Sequence, residues 1–286
     1  MTVLLGLFAI VLAVLAVLLA LSAGLFALSV VLSFSIAWYE RVSSDPAVAG
    51  QRHHALAARL LLSEFACLLL TLLLRPFGWL PTRIPAKPCR RPPVILLHGL
   101  FMNRSCLFAL RWRLRAAGFD RVVSINTPQW HELDTLVGRV AEAVDQLRAA
   151  TGAARVHLVG HSMGGILARC YLQQHGGAPY VATCVTLGSP HRGTKLAPFA
   201  VSRLGRALLP GSPLLAQLNA APLPDQVAFT AIYSRHDNMI VPMESAGLDG
   251  ADNVELAGMG HTTMLFSAQG AGAVVEALEN NVRSEV

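Results

Sequence analysis

Charge is what this sequence has least of. Asp, Glu, Lys and Arg make up 14% of its 286 residues, against roughly a quarter in an ordinary globular chain. The shortage is local. Thr2 to Tyr39 carries no charged residue, which rules out a water-exposed helix there and exceeds the about 20 apolar residues a bilayer crossing needs. A second gap concerns sign alone: no Asp or Glu occurs between Ser162 and Asp225. Cysteine is sparse and scattered (Cys67, Cys89, Cys106, Cys170 and Cys184), with no C-x-x-C pair. That pattern speaks against a disulfide framework and a zinc site, while leaving a single bridge open. The net charge of +6 comes with no nucleic-acid motif, so the excess of base points to an anionic membrane surface rather than to nucleic acid.

The apolar start has two possible forms. It is one long tilted helix, or it breaks near Ser22-Ala23-Gly24 into two shorter passes. Trp38 and Tyr39 sit at its end, where amphipathic rings favour the lipid–water boundary. A cleavable signal peptide fits poorly, because no basic residue precedes a run far longer than the about 7–15 residues of such a segment. A second apolar stretch, about Ala55 to Leu74, contains Arg59 and Glu64. Both are expensive at a bilayer centre, so this stretch is a second span, a re-entrant helix or an interfacial helix. Residues 1–75 are thus expected to anchor the chain to a membrane. Residues 76–92, rich in Pro and Arg, are expected to be an extended linker, and 93–286 a catalytic domain. The setting expected is a bacterial inner membrane. Counting Lys and Arg puts the catalytic domain on the cytoplasmic side for one span or a hairpin, and a break near Gly24 reverses this. No oligomeric state follows from the sequence.

Beyond residue 92 apolar runs alternate with helical patterns. Strands are expected at Val94–Leu97, Arg121–Ile125, Arg155–Gly160, Ala182–Leu187, Val227–Ser234 and Asn253–Leu256. Helices are expected over Ser105–Ala117, Leu133–Ala150, Met163–Gln174 and Ala271–Asn280. Continuously apolar strands separated by helices imply an α/β fold with a doubly wound, mostly parallel sheet of about six strands. Ligands on such sheets bind at the carboxyl ends of the strands.

Gly160-His161-Ser162-Met163-Gly164 reads G-x-S-x-G between an apolar strand and a helix. That strand–turn–helix setting is what a nucleophile elbow requires. Gly160 and Gly164 let strand and helix pass closely. The helix start beyond Ser162 offers free N–H groups to a developing oxyanion.

A serine hydroxyl needs a histidine to take its proton, and that histidine needs an orienting carboxylate. The chain order for this arrangement is Ser, acid, His. His175 and His191 follow Ser162 before any acid has appeared, and His236 has only Asp225 before it. His261, in Gly258-Met259-Gly260-His261, is therefore the expected base. Asp237 follows the strand ending near Ser234 and is the expected acid. Asp225 lies at that strand's wrong end, and Asp249 and Asp252 read as turn residues. For the oxyanion the expected donors are the amides of Leu100, in the loop after the first core strand, and Met163.

Taken together, Val94-Ile95-Leu96-Leu97-His98-Gly99-Leu100, Gly160-His161-Ser162-Met163-Gly164-Gly165, Thr186-Leu187-Gly188-Ser189-Pro190-His191-Arg192-Gly193-Thr194, Gly211-Ser212-Pro213-Leu214-Leu215, Leu218-Asn219, Asp237 and Gly260-His261 resemble the bacterial triacylglycerol lipase and esterase families of the α/β-hydrolase superfamily. The resemblance covers about residues 93–286 and implies acyl-ester chemistry without fixing the acyl chain. Many of these lipases hold a structural calcium through carboxylates near the catalytic histidine. Here Thr262 and Thr263 follow His261, so no calcium is expected, and no cofactor. Residues 193–224 form the expected cap, apolar and basic, either a lid opening on an anionic membrane or a static cover. The expected function is hydrolysis of lipid or other apolar esters beside a membrane bilayer. An acyltransferase using the same triad and a non-catalytic membrane scaffold are the alternatives.

Overall fold

The computed structural model describes residues 2–45, 54–81 and 88–284. Arg83, Pro85 and Lys87 of the expected linker lie outside the described residues. Six strands, β1 (Val94–Leu97), β2 (Val122–Ile125), β3 (Val156–His161), β4 (Val181–Leu187), β5 (Ala228–Ser234) and β6 (Asp252–Leu256), form one sheet in the order β2-β1-β3-β4-β5-β6. Every neighbouring pair is parallel. Strands β1 to β5 are short and largely apolar because both faces are covered, whereas the edge strand β6 is mostly polar and exposed, with Leu256 buried. Ile95 and Leu97 point into one core with helices α4 (Leu133–Thr151) and α5 (Met163–Gln174). Val94 and Leu96 point into the other, with α3 (Phe108–Ala116) and the C-terminal helix α9 (Ala268–Ser284). The last helix starts three residues before its expected start.

The strand order places the site. β1 has β2 on one side and β3 on the other, so the chain leaves β1 and β3 at adjacent carboxyl ends, the point where such sheets open a crevice. The loop after β1 carries Gly99 and Leu100, and the turn after β3 carries Ser162.

The cap over 193–224 folds into a 3-10 turn at Ala197–Phe199 and two short helices, α6 (Arg203–Arg206) and α7 (Pro213–Ala220). Leu204, Leu208, Leu215 and Leu218 are buried in the core that faces α4 and α5. Buried Arg169 of α5 ties the cap down, donating to Leu218 O at 2.8 Å and to Asn219 Oδ1 at 3.0 Å. The leucine side of the segment is therefore part of the core, while Phe199 and Val201 form an exposed apolar tip, 72% and 91% accessible.

At the N-terminus α1 (Thr2–Ser44) is one unbroken helix, which selects the single long helix over the break near Gly24. At 1.5 Å per residue it is about 65 Å long, more than a bilayer needs. Its side chains from Gly6 to Leu21 are exposed on every side. Further along, Val30 and Ser33 are buried, and Glu40 pairs with Lys195 of the cap at 2.5 Å. α2 (His54–Leu74) packs against α1, the 3-10 turn at Arg104–Leu107 and the short helix α8 (Thr263–Phe266). The start of the expected linker is a docked 3-10 turn, Arg75–Trp79, rather than an extended spacer. Asn103 Nδ2 donates to Arg75 O, and Arg104 Nε and Asn126 Nδ2 both donate to Gly78 O, each at 2.8 Å. Gly78 is needed there because an added Cβ would fall 2.3 Å from the Asn103 amide. All five cysteines are free thiols.

Candidate active site

Ser162 occupies the turn between β3 and α5 with φ 55° and ψ −123°, a region that non-glycine residues rarely adopt. Tight packing enforces it. An added Cβ at Gly160 would lie 2.4 Å from Gly165 N, and one at Gly164 would lie 2.5 Å from Leu97 O. The elbow is thus wedged between α5 and the end of β1. Ser162 N donates to Leu187 O at 2.9 Å, pinning the turn to β4. Met163 opens α5, where backbone N–H groups have no carbonyl partner within the helix.

The loop after β1 closes over the same turn. A Cβ on Gly99 would approach Ser162 Cβ to 2.8 Å, and Leu100 is the next residue. His98, buried at the base of this loop, is structural. Its Nε2 accepts from Thr127 N at 3.0 Å and its Nδ1–H donates to Gly99 O at 2.9 Å. Burial, foremost, lowers its pKa to about 4, so the ring is neutral and braces the loop.

Asp237 and His261 are brought together. His261 Nδ1 and Asp237 Oδ2 are 2.8 Å apart, and both side chains are almost wholly buried. Asp237 Oδ1 accepts from Met239 N at 2.7 Å and Ile240 N at 2.9 Å. With that carboxylate on Nδ1, the histidine carries its proton there and turns Nε2 outward as an acceptor. Burial pushes the His261 pKa down, but the Asp237 charge and hydrogen bond, with the Glu64 charge behind them, outweigh it and raise the pKa above its ordinary 6.5. The His161 ring lies 4.5 Å from that of His261, and His161 Nε2 and His261 O are 3.2 Å apart. Since His161 immediately precedes Ser162, this contact sets the elbow against the His261 loop.

The residues set aside from the sequence are occupied elsewhere. His236 Nδ1 accepts from Gly258 N at 2.9 Å. His191 is buried against Arg169 and Thr186. His175 lies beside Asp134, Asp249 pairs with Arg192, and Asp225 is exposed before β5.

Two residues near the site, Asn238 and Glu64, were not read as part of it from the sequence. Asn238 Oδ1 accepts from His261 N at 3.0 Å while its Nδ2 donates to Ser33 Oγ of α1 at 2.8 Å. Glu64 of α2, fully buried, binds the backbone just after His261. The one available signal was the presence of Glu64 in an apolar helix, and sequence gives no partner for it. Among the described residues no cluster of three or more His, Cys, Asp or Glu is gathered as metal ligands.

Comparison with known proteins adds the following. A family model described as alpha/beta hydrolase fold matches residues 92–212, a span that includes Ser162 and stops short of Asp237 and His261. A triacylglycerol lipase of Pseudarthrobacter phenanthrenivorans is 37% identical over 119 residues, 38% of this chain and 36% of that protein. One of Burkholderia plantarii is 37% identical over 119 residues, covering 38% and 32%. The matches thus span about a third of these curated relatives. Among solved structures, Aspergillus fumigatus lipase B superposes with a TM-score of 0.58 at 20% identity, covering 66% of this chain and 52% of that one. Mature Bacillus licheniformis lipase BlEst2 gives 0.56 at 18% identity, covering 70% and 98%. At these identities the superpositions speak for the fold.

Proposed function

We propose that this chain, an α/β-hydrolase similar to lipases and esterases, is a membrane-anchored serine hydrolase cleaving carboxylic esters of lipids or other apolar acyl groups. The observation that carries the reading is the buried Asp237–His261 pair at 2.8 Å, at the same sheet edge as Ser162 in its strained turn.

In this reading His261 Nε2 removes the Ser162 hydroxyl proton as Oγ attacks the ester carbonyl carbon. Asp237 holds the imidazole in the tautomer that permits this and stabilises the imidazolium that forms. The amides of Leu100 and Met163 donate to the oxyanion. Collapse of the tetrahedral intermediate passes the proton from His261 to the departing alcohol and leaves the acyl group on Ser162. A water, deprotonated by His261, then releases the carboxylic acid and restores the serine. No metal or cofactor enters these steps.

Two features support apolar substrates beside a bilayer. The relatives matched in sequence carry the name triacylglycerol lipase. The cap also joins the end of α1 through Lys195 and Glu40, next to exposed Trp38 and Tyr39, and its own tip exposes Phe199 and Val201. The apolar Gly6–Ser44 stretch is long enough to cross a membrane, its most apolar 18 residues reaching a mean hydropathy of 2.8, and we place the protein in a bacterial inner membrane.

The test is labelling of the full chain in detergent with a fluorophosphonate, alongside turnover of p-nitrophenyl esters of graded chain length. Wild type should label and favour longer acyl chains, and Ser162→Ala should do neither. Labelling that persists in Ser162→Ala would overturn the assignment.

A further inference from the structure

Glu64 is a fully buried acid in a largely apolar helix, and it forms no ion pair among the described residues. Its Oε1 accepts from Thr262 N at 2.6 Å, and its Oε2 accepts from Thr263 N at 3.0 Å and Thr263 Oγ1 at 2.8 Å. These three donors immediately follow His261. One turn earlier on the same helix, Arg59 Nη2 donates to Gly258 O at 3.1 Å. The two charges that made a lipid-exposed second span costly thus face the catalytic domain and bracket the loop that carries its histidine.

The loop is shaped for this contact. An added Cβ at Gly260 would sit 2.5 Å from Glu64 Oε2 and 2.9 Å from Asn238 Oδ1. Gly258 has φ +76°, and a Cβ there would meet Arg59 Nη2 at 3.0 Å. Glycine stands at both places where the helix side chains reach the loop backbone. A carboxylate that accepts several backbone N–H groups fixes them firmly, because ionic hydrogen bonds are short and strong. His261 is held from both sides, by Asn238 on its own amide and by Glu64 on the next two.

We propose that Glu64 is a positioning residue for His261, so that the N-terminal helix pair is a working part of the active site rather than a detachable anchor. This deepens the serine-hydrolase reading and rests on it. Glu64 acts in two ways. It holds the 262–263 backbone, which sets the imidazole against Asp237 and Ser162. Its charge also adds to that of Asp237 in favouring the imidazolium. The other groups facing the ring are His161, kept neutral by burial, with His98 beside it. Arg59 is directed at Gly258 O.

The experiment is the rate of fluorophosphonate labelling as a function of pH, on the full chain in detergent micelles, per mole of folded protein as scored by a thermal melt. His261 acts only when neutral, and loss of the Glu64 charge lowers its pKa, so the acid limb should move to lower pH. Glu64→Gln should lower the plateau rate by about tenfold and move the limb down by about half a pH unit or more. Glu64→Asp retains the charge and should keep the wild-type midpoint with a reduced rate, which carries the test if Glu64→Gln folds poorly. Arg59→Ala loosens the same helix but leaves the Glu64 bonds, so it should lower the melting temperature without moving the midpoint. Wild-type rate and midpoint in Glu64→Gln, or an equal midpoint shift in Arg59→Ala, would overturn the inference alone. A wild type that fails to label, or a Ser162→Ala chain that does label, would overturn the serine-hydrolase reading and this inference with it.

Discussion

Asn238 Nδ2 donates to Ser33 Oγ at 2.8 Å, across 205 positions of chain. Asn238 follows Asp237, and its other side-chain atom accepts from His261 N. One amide side chain therefore links helix α1 to the loops carrying both the acid and the base of the proposed triad. Ser33 in turn donates to Val30 O within the helix, so the link ends on a rigid backbone.

This link makes truncation informative. A chain reduced to residues 93–286 loses Ser33, Arg59 and Glu64 together, and with them their bonds to Asn238, Gly258, Thr262 and Thr263. Misplacing a reacting group by about 1 Å can cost about a hundredfold in rate. Esterase activity of the truncated chain should fall by at least that factor relative to the full chain in the same detergent, with a lower melting temperature. Full activity in the fragment would show that the helices only tether.

Asp237→Asn should leave the fold in place, since an amide oxygen still accepts from Met239 N and Ile240 N. The amide nitrogen, however, would face His261 Nδ1 and favour the wrong tautomer. The expected loss in kcat is about 10⁴-fold, measured on a short p-nitrophenyl ester, with little change in melting temperature.

The pH profile carries a definite sign. The Asp237 and Glu64 charges raise the His261 pKa above 6.5 against the opposing effect of burial. The base is competent when deprotonated, so kcat/KM should rise through a midpoint above pH 6.5 and level off beyond it. A midpoint well below 6.5 would contradict the buried, ionised pair.

Gly164→Ala tests the elbow. The new methyl would sit 2.5 Å from Leu97 O and 2.8 Å from Leu97 C, backbone atoms of β1 that cannot swing aside. Destabilisation of about 3 kcal/mol or more is expected, read from chemical denaturation.

Arg169→Met tests the cap. The guanidinium is buried and holds Leu218 O and Asn219 Oδ1. Burial lowers its pKa to about 10, so it is still charged at neutral pH. Losing hydrogen bonds from a charged group should cost about 3 kcal/mol, and limited proteolysis should then cut first within 193–224.

Much of this protein was determined by its sequence read along the chain. Apolar runs located β1 to β5 within a few residues, because strands covered on both faces are largely apolar and turns are marked by Gly and Pro; the polar edge strand β6 was placed within one residue as well. Given the chain order Ser, acid, His, the lack of any acid between Ser162 and Asp225 excluded His175 and His191, and the position of Asp237 after a strand singled it out over Asp225. The pairing of Asp237 with His261 at 2.8 Å agrees with that order. What the sequence treated as separate parts, the tertiary structure joined. Arg59 and Glu64 read as unfavourable residues in a lipid-facing helix, since nothing in a local pattern names a partner nearly 200 positions away. Asn238 carried no signal, and Gly260 only accompanied His261 in its motif, for the same reason. Burial of a carboxylate is tolerated only where enough donors converge on it, and those donors, Thr262 N, Thr263 N and Thr263 Oγ1, converge only when the helix is docked against the folded sheet.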